Sequence, residues 1–155
     1  MSQRIQTRLG PPTPDDMDEL ISKVWKEPNF FLAHPRAIAA FGRECTRRGV
    51  PPATVRIFGS SFLTWRGIPI LPSDKLFVDG EQNPKQKSGK TNILLVRTGE
   101  EKQGVIGLYQ EGLPGDRSDG LSIRFMGIDN QGIGLYLLLL YSSACQLSND
   151  AVAVL

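Results

Sequence analysis

Few residues in this chain have the chemistry to react: one histidine, His34, two cysteines, Cys45 and Cys145, and an acidic trio, Asp15, Asp16 and Asp18. A thiol beside an imidazole would make an activated nucleophile. His34 and Cys45 stand 11 positions apart in one helical pattern. That is about 16 Å along the axis, beyond hydrogen-bond reach, so they are not a dyad. Cys145 with His34 stays open at this level, and nothing in the sequence supports it. A zinc site needs clustered Cys and His, and there is no CxxC and no second His. The acidic trio could bind a metal or act as an acid, but at the start of a helix it reads as complement to the helix dipole and as solvation. No catalytic, cofactor-binding or metal-ligating residue is assigned.

The glycine-containing loops are no better suited to phosphate. Residues 99–104 (GEEKQG) and 115–120 (GDRSDG) carry acids where a phosphate loop offers backbone amides and a Lys-Ser/Thr pair. Residues 127–134 (GIDNQGIG) have the glycine density but not the G-x-G-x-x-G spacing, and Asp129 stands where an anion would sit. A ligand-binding or regulatory module using this loop is the alternative reading, and a small enzyme using Cys45 or Cys145 a weaker one.

Bulk properties bound the rest. The 155 residues suit one domain or a large part of one, with 40% hydrophobic and 22% charged residues. A net charge of +2 is too mild for a nucleic-acid binder. With 16 glycines and 11 prolines, many turns and short elements are expected. The uncharged run Gly132–Cys145 has 14 residues, whereas a membrane-spanning helix needs about 20. No signal-like apolar stretch opens the chain. The expectation is a cytoplasmic protein that crosses no membrane, with both cysteines as buried thiols on helices.

The elements follow from punctuation and periodicity. Thr13 caps a helix with Pro14 at its first position, Met17, Leu20, Ile21, Val24 and Trp25 on one stripe, and Pro28 at its end. Pro35 starts a second helix with Ala37, Ile38, Phe41 and Cys45 inward. Arg47 and Arg48 sit in its last turn and Gly49 lies past it. Arg36, Arg43 and Arg47 face the other way, a solvated or interface surface without the aromatic residues of a nucleic-acid platform. Strands are expected in TVRIFG, FLTWRGIPIL and KLFV, with Pro69 and Pro72 demoting the second to an edge or irregular strand. Residues 79–90 and 111–120 read as polar loops. NILLV is a strand covered on both faces, VIGLYQ another, with Gly99 and Gly104 between them, and SIRFMGID a further one. Asp129 or Asn130 is expected to cap a last helix to about Ala144, apolar all round and therefore buried all round. AVAVL starts a strand that looks unfinished. The fold class is α+β, a mixed sheet with about three helices.

Several long segments carry a resemblance: FLAHPRAIAAFGRECTRRGVPP, FLTWRGIPILPSDK, GKTNILLVRTGEEKQGVIGLYQ and GLSIRFMGID, with PPTPDDMDELISKVWK ahead of them. They resemble the shell proteins of family 2 encapsulins, bacterial nanocompartment proteins with the phage-capsid-like (HK97-type) fold. The resemblance runs from about Ile5 to Leu155. It implies a structural, non-enzymatic subunit that self-assembles into closed icosahedral shells in the cytoplasm. It implies a cargo enzyme held inside, typically a cysteine desulfurase linked to sulfur metabolism, or in another branch a terpene cyclase. The near-neutral charge argues against packaged nucleic acid, since enclosing DNA favours a basic interior, and the family offers no active-site residues to carry over.

Family chains are about twice as long, so the correspondence implied is the C-terminal half of a protomer. Residues 1–30 would be a peripheral-domain helix region, 31–140 the axial domain, and 141–155 the return to the peripheral domain. The N-terminal arm, extended loop and first peripheral strands lack a counterpart, as does the cyclic-nucleotide-binding-like insertion of one branch. The chain is expected to be a fragment, a split half or part of a longer product, whose partners are further copies of itself, the N-terminal half and the cargo. The apolar final third has the same implication, because bare apolar faces and unpaired strand edges invite association.

Overall fold

Thr13 opens the first helix in the way its sequence demands. In the computed structural model, which describes residues 3–5, 10–24, 26–76, 78, 89–112, 116–118 and 120–155, α1 spans Pro14–Lys23. The Thr13 hydroxyl accepts from the Asp16 amide, and the Asp16 carboxylate accepts from the Thr13 amide at 2.8 Å, a reciprocal capping box. Met17, Leu20 and Val24 are buried on the expected stripe; Trp25 lies outside the described residues.

The second helix, α2, spans Pro35–Arg47 and is capped by His34, whose Nδ1 accepts from the Arg36 amide at 3.2 Å. It ends in a Schellman motif. Gly49 adopts φ +72°, its amide bonds the Thr46 carbonyl, and the Val50 amide reaches the Cys45 carbonyl. Ala37, Phe41 and Cys45 are buried, with Ile38 packed beside them.

The chain divides into two compact units. The first, Met1–Val105 with Gln146–Leu155, holds both helices and a seven-stranded mixed sheet. Its strands are β1 (Gln3–Arg4), β2 (Phe30–Ala33), β3 (Ala53–Ile57), β4 (Ser60–Trp65), β5 (Ile68–Pro72), β6 (Ile93–Val96) and β12 (Val152–Val154), in the order β1-β12-β6-β2-β5-β4-β3. Register aligns Ala153 with Leu95, Leu95 with Phe31, and Phe31 with Ile70. This row across four strands is almost wholly buried and joins the helix stripes, Trp65 included, in one core. Phe41 meets Trp65 edge-on at 5.5 Å.

β12 pairs with β1 in parallel and with β6 antiparallel, so both of its lateral edges are used. One expectation for this unit needs correction: Pro69 and Pro72 do not hold β5 at an edge, because it lies between β2 and β4, although the expected run is interrupted between Trp65 and Ile68. The β4 ladder pairs only Ile68 and Pro69, so the side on which a proline lacks a donor is short. KLFV survives as a single bridge from Val78 to Thr91, with Phe77 and residues 79–88 outside the described residues.

The second unit, Ile106–Cys145, is built of strands alone among the described residues. It contains most of β7 (Val105–Tyr109) and β11 (Ser142–Gln146), which pair with each other, and a sheet of β8 (Asp116–Ser118), β9 (Leu121–Ile128) and β10 (Gly134–Leu140) in the order β10-β9-β8. Thus the expected loop 111–120 carries a short strand, with residues 113–115 and 119 outside the described residues. Gly120 is held at φ +71° where a Cβ would fall 2.8 Å from both the Tyr109 Cβ and the Tyr141 carbonyl, so no side chain fits.

The third helix is absent. Residues expected to coil from 130 to 144 form β10 and β11, leaving two helices among the described residues. A continuous apolar run has no visible period, so leucine propensity favoured helix on paper. Seven register pairs between β9 and β10 override it. Asp129 caps a hairpin turn instead of a helix: its carboxylate accepts from the Gln131 and Ile133 amides at 2.8 and 2.9 Å. Cys145 therefore sits half-buried on a strand, not buried on a helix.

Candidate assembly surface

The β9–β10 hairpin displays an apolar face of its own. Pairing sets Tyr136 opposite Phe125, Leu138 opposite Ile123, and Leu140 opposite Leu121, and paired residues point to the same side. Both neighbours on that side are apolar at every step, and the Phe125 and Tyr136 rings lie 5.3 Å apart. The opposite side alternates in Leu137–Arg124 and Leu139–Ser122, where Ser122 is fully buried and Leu139 half-buried. Phe125, Tyr136, Leu138 and Leu140 are 58–66% exposed. The sequence singled out the leucine-rich run after Gly134 as greasy beyond need, but placed it inside a helix, with Phe125 on a strand. The structure puts both on the outside of one sheet.

A bulge aims the strip. Leu135 pairs with Gly127 and Tyr136 with Phe125, so Met126 is the extra residue on β9, and Gly127 takes φ +128° to admit it. Met126 is exposed as well, and Ile128, Ile133 and Leu135 extend the exposed apolar area toward the turn. An apolar patch of this kind on one unit marks an association surface.

The residues with reactive chemistry have structural duties. Asp16 closes the capping box, Asp15 pairs with Arg48 at 3.2 Å, and Asp18 accepts from Trp65 Nε1 at 2.7 Å and from Arg66 at 2.8 Å. The Arg66 guanidinium holds the Asp18 carboxyl below the usual carboxylate range, with Trp65 helping. Helix dipole and solvation, the roles expected from the spacing, are thus joined by tertiary contacts that spacing does not reveal. Cys45 is buried, and burial pushes its thiol up, with Glu44 adding to the effect. The arginine face of α2 is partly self-paired: Arg47 and Arg48 both clamp Glu44, at 2.5 and 2.7 Å, and leave that carboxylate 4% exposed. Their hydrogen bonds, Arg47 first, lower its pKa.

Residues 127–134 do not form an anion cradle, since two of the amides there are taken by Asp129. That removes the observation behind the ligand-binding alternative. Among the described residues no group of three or more His, Cys, Asp or Glu side chains is gathered for a metal, and no helix is long and apolar enough to cross a membrane.

One buried group escaped the sequence reading. Arg97, fully buried, donates to Asp150 at 3.1 Å and to the Gln103 carbonyl at 3.4 Å, tying the 99–104 turn to the approach of β12. Asp150 also accepts from the Ser148 hydroxyl, and Arg97 foremost holds its carboxyl far below the usual range. Gly104 permits this closure, for a Cβ there would fall 2.5 Å from the Arg97 carbonyl. Only an arginine directly after an apolar strand hinted at it.

Comparison with known proteins gives the surface its context. The family model "Type 2A encapsulin shell protein SrpI-like" matches residues 1–155. The chain is 61% identical over 153 residues to the type 2A encapsulin shell protein SrpI of Synechococcus elongatus, covering 99% of this chain and 47% of that protein. A shell protein of Mycolicibacterium paratuberculosis is 58% identical with the same coverage. The chain therefore spans about half the length of the curated relatives it matches. The cryoEM structure of the holo-SrpI encapsulin complex from Synechococcus elongatus PCC 7942 superposes with a TM-score of 0.86, covering 98% of this chain and 51% of that one. These relatives bear the names of structural shell proteins and not of enzymes. A match over the full length together with this likeness of fold settles the point: the chain belongs to the SrpI-like type 2A encapsulin shell proteins.

Proposed function

We propose that these residues form part of a subunit of a self-assembling, icosahedral encapsulin shell in the cytoplasm, built on the HK97-type fold. The observation that carries this reading is the exposed apolar face of β9 and β10, with Phe125, Tyr136, Leu138 and Leu140 turned to solvent. Fully burying one such side chain is worth about 1.5–3 kcal/mol, so a strip of four supplies a drive to associate that a solitary domain has no use for. In the shell, further copies cover it. The remaining half of the protomer, corresponding to the family's N-terminal half, completes the subunit. Residues 1–30 and 141–155 then belong to the peripheral domain and 31–140 to the axial domain.

The cargo is a cysteine desulfurase, and the shell's work lies in sulfur metabolism; a terpene cyclase is the alternative. This rests on the family resemblance. The decisive measurement is particle size by light scattering and electron microscopy, for the chain alone and co-expressed with the N-terminal half of a relative's shell protein. Closed particles are expected in the second case, and a 17 kDa monomer in both would overturn the reading. Co-expression with each candidate enzyme, followed by size-exclusion chromatography, identifies the cargo as the one that elutes with the particles.

A further inference from the structure

The hairpin of β3 and β4 ends in an aromatic residue that nothing in its own unit covers. Ile57 pairs with Ser60, so Phe58 and Gly59 alone form the turn, at φ +49° and +80°. Both angles are positive, the geometry of a type I′ turn, whose first position favours Asn, Asp or Gly and disfavours a bulky side chain. Phe58 nevertheless occupies it and is completely exposed. An aromatic ring held in solvent at a backbone angle it resists points to selection for something outside the local fold.

The same unit carries a groove of about 730 Å³ between α2 and strands β4 and β5. Ile38, Ala39, Phe62, Leu63 and Pro72 give it an apolar floor, and Arg43 and Arg47 stand among its lining residues, Arg47 being the one paired with Glu44. A cavity of roughly 150 Å³ accepts benzene, so this groove has room for a benzyl group and the turn that bears it. Guanidinium groups favour the negative face of an aromatic ring, which makes the lining complementary to Phe58 in charge as well as shape.

We propose that Phe58 of one copy seats in the α2 groove of a second copy, forming a contact between subunits distinct from the β9–β10 face. The inference rests on the shell reading above. A second copy is the occupant that satisfies both features together, because each subunit brings one knob and one groove and the contact repeats around an assembly.

The test uses the full 155-residue chain. Phe58→Ala and Phe58→Asn should each weaken self-association at least tenfold by sedimentation, as loss of an aromatic anchor does. The asparagine, at ease with positive φ, should leave the thermal midpoint unchanged or raised, which separates lost association from misfolding. In a Cys145→Ser background, Phe58→Cys mixed with Ala39→Cys should give an intermolecular disulfide on oxidation. If the chain associates but both Phe58 variants associate equally and no crosslink forms, this proposal is overturned and the shell reading stands. If Ala39→Cys is shielded from a thiol reagent only on co-expression with the N-terminal half, again without a crosslink, the groove belongs to that segment and the proposal is likewise overturned. A chain monomeric at every concentration, alone and co-expressed, ends both.

Discussion

Replacing Leu138 by lysine separates assembly from folding. Leu138 is 63% exposed on the apolar side of β10, opposite Ile123. Within the unit it therefore contributes little, and Leu138→Lys should change unfolding free energy by no more than about 0.5 kcal/mol, as surface substitutions do. In an assembled contact the exposed two thirds of the side chain would be buried. At about 1.5–3 kcal/mol for a whole leucine, that fraction is worth about 1–2 kcal/mol, and a buried ammonium adds a desolvation cost unless it reaches water. Each contact should weaken by about tenfold or more. Closed particles form through many such contacts, so the concentration needed for assembly should rise steeply. Light scattering against protein concentration reads the first effect, and thermal unfolding of the dissociated protein the second. Wild-type assembly by the variant would refute the placement of this face at an interface. A large loss of thermal stability would refute the claim that Leu138 is idle in the fold.

Three other outcomes follow from the geometry. Thr13→Ala removes the reciprocal cap of α1 and should cost about 1 kcal/mol in chemical denaturation, while Thr13→Ser restores most of it. Because Arg97 depresses the Asp150 carboxyl, the stability it contributes is complete above the unfolded carboxylate value of about 4 and is lost as pH falls toward the folded value. The acid limb of a stability–pH curve should accordingly be shallower in Asp150→Asn than in wild type, with the two running parallel above about pH 5. Thiol labelling of the folded chain should modify Cys145 and spare Cys45, which is buried with a raised pKa and should react only in denaturant. Mass spectrometry locates the adduct, and early modification of Cys45 would contradict its place in the core.

The local signals in the chain were sufficient for its helices. Thr13-Pro14, His34-Pro35 and Arg48-Gly49 specify caps and ends through bonds that reach no more than a few residues, so α1 and α2 could be read with their inward faces. The family could be read too, because long segments keep an idiosyncratic order that composition does not mimic. Pairing over distance was not legible. β12 lies between β1 and β6, and β5 in the sheet's interior, because residues tens of positions away complete their ladders. The leucine run 134–140 shows the limit best. Its residues are apolar at every step, which erases both the period of a helix and that of a strand. What makes it a strand is β9, whose backbone groups pair with its own, and what makes it exposed is that within its unit little beyond Leu139 is covered. Composition marked these side chains as requiring a cover, and three-dimensional packing assigned which side would lack one.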